Sequence, residues 1–248
     1  IKAEIIELES FRDLAVSIVE NAKGLALLQA LKVAFQKLRN LGAEQKAIIF
    51  TESRRTQDYL LTLLGKTPYA SGVVLFNGTN NDVRSKEVYD AWIKKHAGTD
   101  RISGSRSADT RAALVEYFKE QGSIMIATEA GAEGINLQFC SMVINYDLPW
   151  NPMRVEQRIG RIDRLGQKAQ VIHIWNLFYQ ETIDERIFGR LLTRLKVFEQ
   201  ALGEPEPIIG ETIKQLESKL LTNRLTPEQE DAEIQRAAQA LENVRQRQ

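Results

Sequence analysis

The sequence predicts an α/β domain built on a parallel sheet with helices on both faces, extended by helices at each end. Three observations carry this. Five short apolar runs fall at 47–50, 73–76, 124–127, 142–145 and 171–175. Each is continuous rather than alternating, as expected of strands buried on both faces. Helical stretches separate the runs, and strands alternating with helices make a parallel sheet. Ligands of such sheets collect outside the carboxyl ends of the strands.

Composition narrows the function. Hydrophobic residues are 43% and charged residues 27% of 248, enough for a packed core. Lys plus Arg (33) balance Asp plus Glu (33), which excludes a generic polybasic binder but leaves room for a local cationic groove. A single cysteine, Cys140, excludes an internal disulfide framework and suits a reducing cytoplasm. With His96 and His173 far apart, no metal site is expected. No apolar run approaches the roughly 20 residues that span a bilayer, so no membrane partner is expected. The chain starts at Ile1 without a Met or a signal peptide and reads as part of something longer.

Residues 1–43 read as a helical packing segment. Leu25, Leu28, Leu31 and Phe35 recur at helical spacing, and Gly42 stands where a helix would stop. Residues 44–180 form the α/β lobe. Residues 181–248 return to helix as a brace or connector. Thr182 with Glu185 predicts one capping box, and Thr226-Pro227 with Gln229 another. Gly203, Pro205 and Pro207 mark a break between them. Residues 201–248 hold nine acidic and six basic residues, a poor partner for phosphates.

Two decoys fall away. Gly65-Lys66-Thr67 resembles the end of a phosphate-binding P-loop, but the required upstream glycine is Leu60 and no strand leads in. It reads as a helix C-cap with Gly65 in the left-handed conformation. Asp184-Glu185 resembles the acidic pair of an ATPase, yet no apolar strand precedes it.

The informative region is 124–168. The run at 124–127 leads into Thr128, Glu129, Ala130, Gly131, Ala132, Glu133, Gly134, Ile135, Asn136 and Leu137. Small residues after a strand let backbone N–H groups approach a phosphate. From Arg154 to Lys168, five basic residues stand against two acidic ones, a concentrated cationic site. Drawn as one helix over 153–167, Val155, Ile159 and Ile162 share one face, and Gln157, Arg161 and Arg164 the opposite one. Gly160 at its centre costs about 1 kcal/mol of helix propensity, consistent with a helix that something approaches closely.

The string Gln157-Arg158-Ile159-Gly160-Arg161-Ile162-Asp163-Arg164-Leu165-Gly166-Gln167 resembles motif VI of the superfamily-two helicases. Residues 128–137 resemble motif V, and Ile48-Ile49-Phe50 the motif IV strand. Gly166-Gln167 and the upstream Asp147 to Pro152 resemble the Swi/Snf branch of DNA translocases, its bacterial members especially. The resemblance covers about 25–200 and implies a RecA-like second lobe. In such enzymes ATP lies between two lobes and nucleic acid crosses both. The first lobe, absent from this chain, carries the P-loop and the acidic pair that holds Mg²⁺, so this chain alone is expected not to hydrolyse ATP.

By motif position the resemblance makes Arg161 and Arg164 the arginine fingers. These stabilise charge on the transferring γ-phosphoryl. It places Gln157, Gly160 and Asn136 on the nucleotide side, and Thr128, Gly131 and Gly134 near the nucleic-acid backbone. Its implied partners are double-stranded DNA, the first lobe of the same protein and a protein target of remodelling. Glu133 departs from the pattern, since a carboxylate there repels phosphate. A strand, Gly-Ser or Gly-Thr, Arg and helix element occurs twice, at Gly78-Thr79 with Arg84 and at Gly104-Ser105 with Arg111. The second copy leads directly to the next helix and strand, so it is taken as the true one and 77–101 as a helical insertion. Two alternatives stand beside this reading: a lobe of an RNA or strand-separating helicase, and a catalytically retired protein-binding module. The Trp150-Asn151-Pro152 and Gly166-Gln167 elements argue against the first, and retention of both arginines argues against the second.

Overall fold

A computed structural model describes residues 2–17, 21–192, 206–222 and 225–246. In chain order the elements are α1 (Lys2–Ser17), α2 (Ala22–Asn40), β1 (Ala47–Thr51), α3 (Arg54–Leu64), β2 (Val73–Phe76), α4 (Val83–Lys95), α5 (Arg106–Glu120), β3 (Ile124–Thr128), α6 (Glu129–Ala132), β4 (Met142–Asn145), α7 (Pro152–Ile159), β5 (His173–Asn176), α8 (Ile183–Ile187), α9 (Glu206–Thr222) and α10 (Pro227–Gln246). Among the described residues, no helix is long and apolar enough to cross a membrane.

The strands form one parallel sheet in the order β2-β3-β1-β4-β5. Successive strand side chains point to opposite faces, and here both faces are covered. Ile49, Ile126 and Ile144 meet Leu31 and Phe35 of α2 and Leu60 and Leu64 of α3. Ile48, Phe50, Met125 and Val143 meet Leu114 and Phe118 of α5, together with Ile135, Leu137 and Ile162. That explains the continuous apolar runs of β1 to β4, buried at every position. Edge strand β5 is only half-buried and starts two residues later than its apolar run. A third core joins Met153 and Val155 of α7 to Ile187, to Ile213 and Leu216 of α9, and to Ile234 and Leu241 of α10.

Helix starts follow local chemistry. Asn21, Ser53, Asp82 and Ser105 each accept a backbone N–H from the first turn of α2, α3, α4 and α5. The Lys46 ammonium donates to the Phe118 and Gly122 carbonyls (2.9 and 2.7 Å), satisfying orphan acceptors at the end of α5. The Thr226–Gln229 box forms, with the Thr226 N–H donating to Gln229 Oε1 at 2.9 Å and the Gln229 N–H to Thr226 Oγ1 at 3.4 Å.

Several expectations change. The buried stripe of α2 runs through Leu27, Leu31, Ala34, Phe35 and Leu38, while Leu25 is exposed. Gly65 is right-handed (φ −59°), because the last carbonyls of α3 are met without a left-handed turn. Its N–H donates to the Leu61 carbonyl (2.8 Å), and the Thr67 hydroxyl donates to the Leu64 carbonyl (2.6 Å). At α8 the reciprocal box does not form. The Thr182 hydroxyl donates to the Tyr179 carbonyl, and Glu185 accepts the N–H of Glu181. Gly203 and Pro205 lie outside the described residues, and Pro207 sits in the first turn of α9.

The repeated element is divided between its two copies. The strand is β2, leading into the first copy at Gly78-Thr79, whereas Ile102 to Gly104 form no strand. There the Asp109 carboxylate accepts the Ser103 N–H and hydroxyl (2.9 and 2.7 Å) and Gly104 takes φ +79°, folding a turn whose Ser105 caps α5. Between the copies stands α4, fixed to α5 through Glu116. This carboxylate accepts from Trp92 Nε1 (3.0 Å) and Lys95 Nζ (2.7 Å), hydrogen-bonds His96 Nε2 (2.9 Å) and pairs with Arg101 (2.8 Å). Burial pushes Glu116 upward, but these partners outweigh it and hold it down to about 2.

Candidate functional site

The register aligns Thr51 of β1 with Thr128 of β3 and Phe50 with Asn145 of β4, so the carboxyl ends of the strands form one edge. Thr128 ends β3 there, buried at 7% exposure, and the single turn of α6 follows. Gly131 is a glycine for a packing reason. A Cβ at this position would lie 2.6 Å from the Asn77 Cα and 2.7 Å from the Phe76 carbonyl oxygen. The turn therefore seats directly on the end of β2. Gly134 is exposed with φ +75° and open space around it, so conformation alone calls for glycine there. Asn136 is exposed, its amide donating to Gln138 Oε1 and its oxygen accepting the Gln138 N–H (both 3.2 Å). Gly134 and Asn136 open onto a groove of about 610 Å³ against α5, where Arg101, Arg111 and Lys119 face Glu116, Glu120 and Glu133.

The segment expected as one helix over 153–167 is a shorter helix followed by a turn. Asn151 caps α7 with Pro152 at its first position, and the helix ends at Ile159. Gly160 stays right-handed as the C-cap. The chain then tightens, with the Arg161 N–H on the Arg158 carbonyl and the Ile162 N–H on the Ile159 carbonyl. Two cores compete for this segment, which is the reason for the break. Val155 enters the core of α9 and α10, whereas Ile162 enters the sheet core. Gln157, Arg161 and Arg164 consequently do not share one helical face. Gly160 marks the helix end rather than a close approach to its middle.

Arg158 is the most enclosed of the arginines here, 1% exposed. Its Nη2 and Nε donate to Glu129 Oε2 (2.6 and 3.0 Å), and its Nη1 donates to Asn145 Oδ1 (3.0 Å) and the Asp147 carbonyl (2.7 Å). The guanidinium also lies 5.0 Å from the Phe50 ring centre. One side chain thus joins α7 to the ends of β1, β3 and β4. Asp147 in turn accepts the Thr51 hydroxyl (2.7 Å) and the Glu52 N–H (3.0 Å) and faces Lys23 at 3.7 Å. Burial foremost raises Glu52 above the usual carboxylate range. A structural or DNA contact at Arg158, flanking the polar face, is what the sequence suggests; the wheel places it nearer the Val155 side, and the members of this network are not legible there.

Arg161 is its opposite. It is half-buried, and among the described residues its guanidinium makes no hydrogen bond or ion pair. Burial, then the neighbouring Arg164, hold its pKa below the usual value, with Glu133 and Glu129 opposing. Its backbone is fixed, however, since its carbonyl accepts the Leu137 N–H at 2.9 Å. Arg164 is exposed and donates from Nε to the Gly160 carbonyl (2.8 Å). Gln157 is exposed on α7. The arrangement offers two adjacent guanidiniums without carboxylate partners, beside a loop at the strand ends. Guanidinium groups in that state suit phosphate oxygens, which they can hold through two donors.

Residues 27–166, from α2 to the turn after α7, match the family described as the helicase conserved C-terminal domain. Among named proteins the chain is similar to the uncharacterized ATP-dependent helicase YqhH of Bacillus subtilis (strain 168), 38% identical over 192 residues, covering 77% of this chain and 28% of that protein. It is similar to the helicase ARIP4 of Mus musculus, 26% identical over 213 residues, covering 82% and 13%. It is also similar to the RNA polymerase-associated protein RapA of Pectobacterium carotovorum subsp. carotovorum (strain PC1), 36% identical over 118 residues, covering 48% and 12%. The chain spans less than a third of each of these relatives. Because the match covers more than half of the chain, including β1 to β4, the Thr128–Leu137 loop, Arg161 and Arg164, the chain belongs to the helicase conserved C-terminal domain family.

Proposed function

We propose that this chain is the second motor lobe of an ATP-dependent double-stranded-DNA translocase of the Swi/Snf branch. The observation that carries the reading is Arg161, a half-buried guanidinium on a fixed backbone with no carboxylate partner among the described residues. A desolvated, unpaired cation is costly to keep, and an arriving anion relieves that cost. In this reading Arg161 and Arg164 face the γ-phosphate of ATP held by the first lobe, and take up negative charge as the phosphoryl group transfers. Gln157, Gly160 and Asn136 shape the nucleotide side. Thr128, Gly131 and Gly134 shape the nucleic-acid track, where phosphate contacts position a strand without reading bases. Mg²⁺ belongs to the acidic pair of the first lobe, and a protein target of remodelling completes the partners.

The test uses the full-length protein. ATP hydrolysis should rise more with duplex DNA than with single strands or RNA. Stimulation by RNA alone would assign the lobe to an RNA helicase. The 248-residue chain by itself should show no hydrolysis above background, and turnover near about 1 per second would overturn the two-lobe reading.

A further inference from the structure

Between the loop after β2 and the facing sides of α4 and α5 lies a recess of about 310 Å³. It is lined by Lys86 and Tyr89 of α4, Arg106, Ser107 and Thr110 of α5, and Thr79 of the loop. Two cations thus meet hydroxyl groups, and among the described residues no carboxylate lines the recess. Neither Lys86 nor Arg106 makes an ion pair among the described residues. The Arg106 guanidinium instead lies 5.4 Å from the Tyr89 ring centre, which holds it in place without neutralising it. Glu87 and Asp90, the neighbouring carboxylates on α4, do not line the recess, while Asp82 accepts the Ser85 N–H and Asp109 accepts the Ser103 N–H.

The walls of the recess are fixed. The Asn77 N–H donates to Asn80 Oδ1 (2.7 Å) and the Asn80 N–H donates to Asn77 Oδ1 (2.9 Å), with Asn80 at φ +46°. This reciprocal lock sets Thr79 at the mouth. Glu116 clamps α4 to α5, as described above. In a chain of zero net charge, two unneutralised cations on rigid walls form a built anion site. Its position identifies the anion. The same loop touches the turn after β3, where a Cβ on Gly78 would sit 4.0 Å from the Ala130 Cβ and Gly131 seats on Asn77. The recess therefore continues the Thr128–Gly131 edge outward over α4.

We infer that the Lys86–Tyr89–Arg106 recess binds a phosphodiester of the nucleic-acid backbone, so that the inserted helix α4 lengthens the track of this lobe. The inference rests on the proposed reading that this lobe tracks duplex DNA. Lys86 and Arg106 each contact a backbone phosphate oxygen, and the hydroxyls of Thr79 and Ser107 donate to the same group. Such contacts are indifferent to sequence and sensitive to salt.

The experiment measures binding of a fluorescently labelled duplex to the full-length protein across a salt series. It compares the wild type, Lys86→Gln, Arg106→Gln and the double variant. Lys86 and Arg106 are exposed, so the fold should be spared, and melting curves check this. Loss of this phosphate contact in the double variant should lower the slope of log affinity against log salt by about 0.9. The double variant should bind about three- to fourfold more weakly at about 50 mM salt, and its deficit should nearly vanish by about 200 mM. Lys94→Gln, on α4 but outside the recess, should change the slope least. An unchanged slope in the double variant, with the wild type binding normally, overturns the recess and leaves the track reading standing. Absence of salt-dependent DNA binding in the wild type overturns both. A Lys94 effect as large as either single variant, or erasure of the deficit by inorganic phosphate at matched ionic strength, also overturns the assignment, pointing to diffuse charge or to a free-anion site.

Discussion

Replacing Arg158 by Ala should unfold the candidate site from within, whereas the same change at Arg161 should leave the fold untouched. Truncation at 158 removes four hydrogen bonds at once. Two of the acceptors, Asn145 Oδ1 and the Asp147 carbonyl, then lose their donor, at roughly 1–3 kcal/mol for each group left buried and unmet. The Asn145 side chain is fully buried and among the described residues keeps only its amide bond to Asn176. Glu129 is a third exposed and can recover water, so it adds little. The total is about 2–6 kcal/mol for the two acceptors. For a chain of this size each kcal/mol lowers Tm by about 2–4 °C, which gives roughly 4–24 °C. Arg161→Ala removes no hydrogen bond or ion pair found among the described residues and should move Tm by no more than about 2 °C. The assay is thermal melting of the two variants beside the wild type, with single-turnover ATP hydrolysis by the full-length protein. Equal losses of Tm at 158 and 161, or none at 158, would refute the division between the holding arginine and the free one.

Arg161→Lys and Arg164→Lys should each suppress single-turnover hydrolysis while sparing DNA binding. Arginine fingers are worth about 10³ to 10⁵ in rate, so near-normal turnover in either variant would remove it from the catalytic set. Gly134→Ala should cost roughly 1–2 kcal/mol through its left-handed backbone alone. Gly131→Ala should cost about 1–3 kcal/mol or more by forcing the turn off Asn77. Urea midpoints decide the pair, and a tolerant Gly131 would contradict the seating of that turn. The depressed Glu116 contributes stability that is present above the ordinary carboxylate range and is lost as pH falls towards about 2. The urea-midpoint gap between wild type and Glu116→Gln should therefore be widest near neutral pH and close on acidification. A gap independent of pH would contradict the clamp.

Where single residues met one environment, the sequence was legible. Ile48, Ile49 and Phe50 are buried whichever face they take, so a continuous run announces a central strand. The run before Asn176 misled by two residues, and β5, unlike the equally peripheral β2, is only half-buried. Periodicity failed over 153–167 for a related reason: it assumes one core, and Val155 and Ile162 belong to two. The role of Arg158 depended on Glu129, Asn145 and Asp147, which only folding brings within reach. The packing demand for glycine at 131 was not legible, because a sequence does not show Asn77 lying against it. Even so, the order and spacing of the segments at 48–50, 128–137 and 157–167 were enough to place the chain among helicase C-terminal lobes.

The bond from the Leu137 N–H to the Arg161 carbonyl means that the location of residue 161 is specified by peptide groups, which every amino acid but proline provides at both ends of such a link. The side chain at 161 is a passenger on that backbone. Its identity can therefore drift, be lost or be restored without disturbing the surrounding architecture. At 158 the side chain itself holds the architecture, and any replacement must first satisfy Glu129, Asn145 and the Asp147 carbonyl.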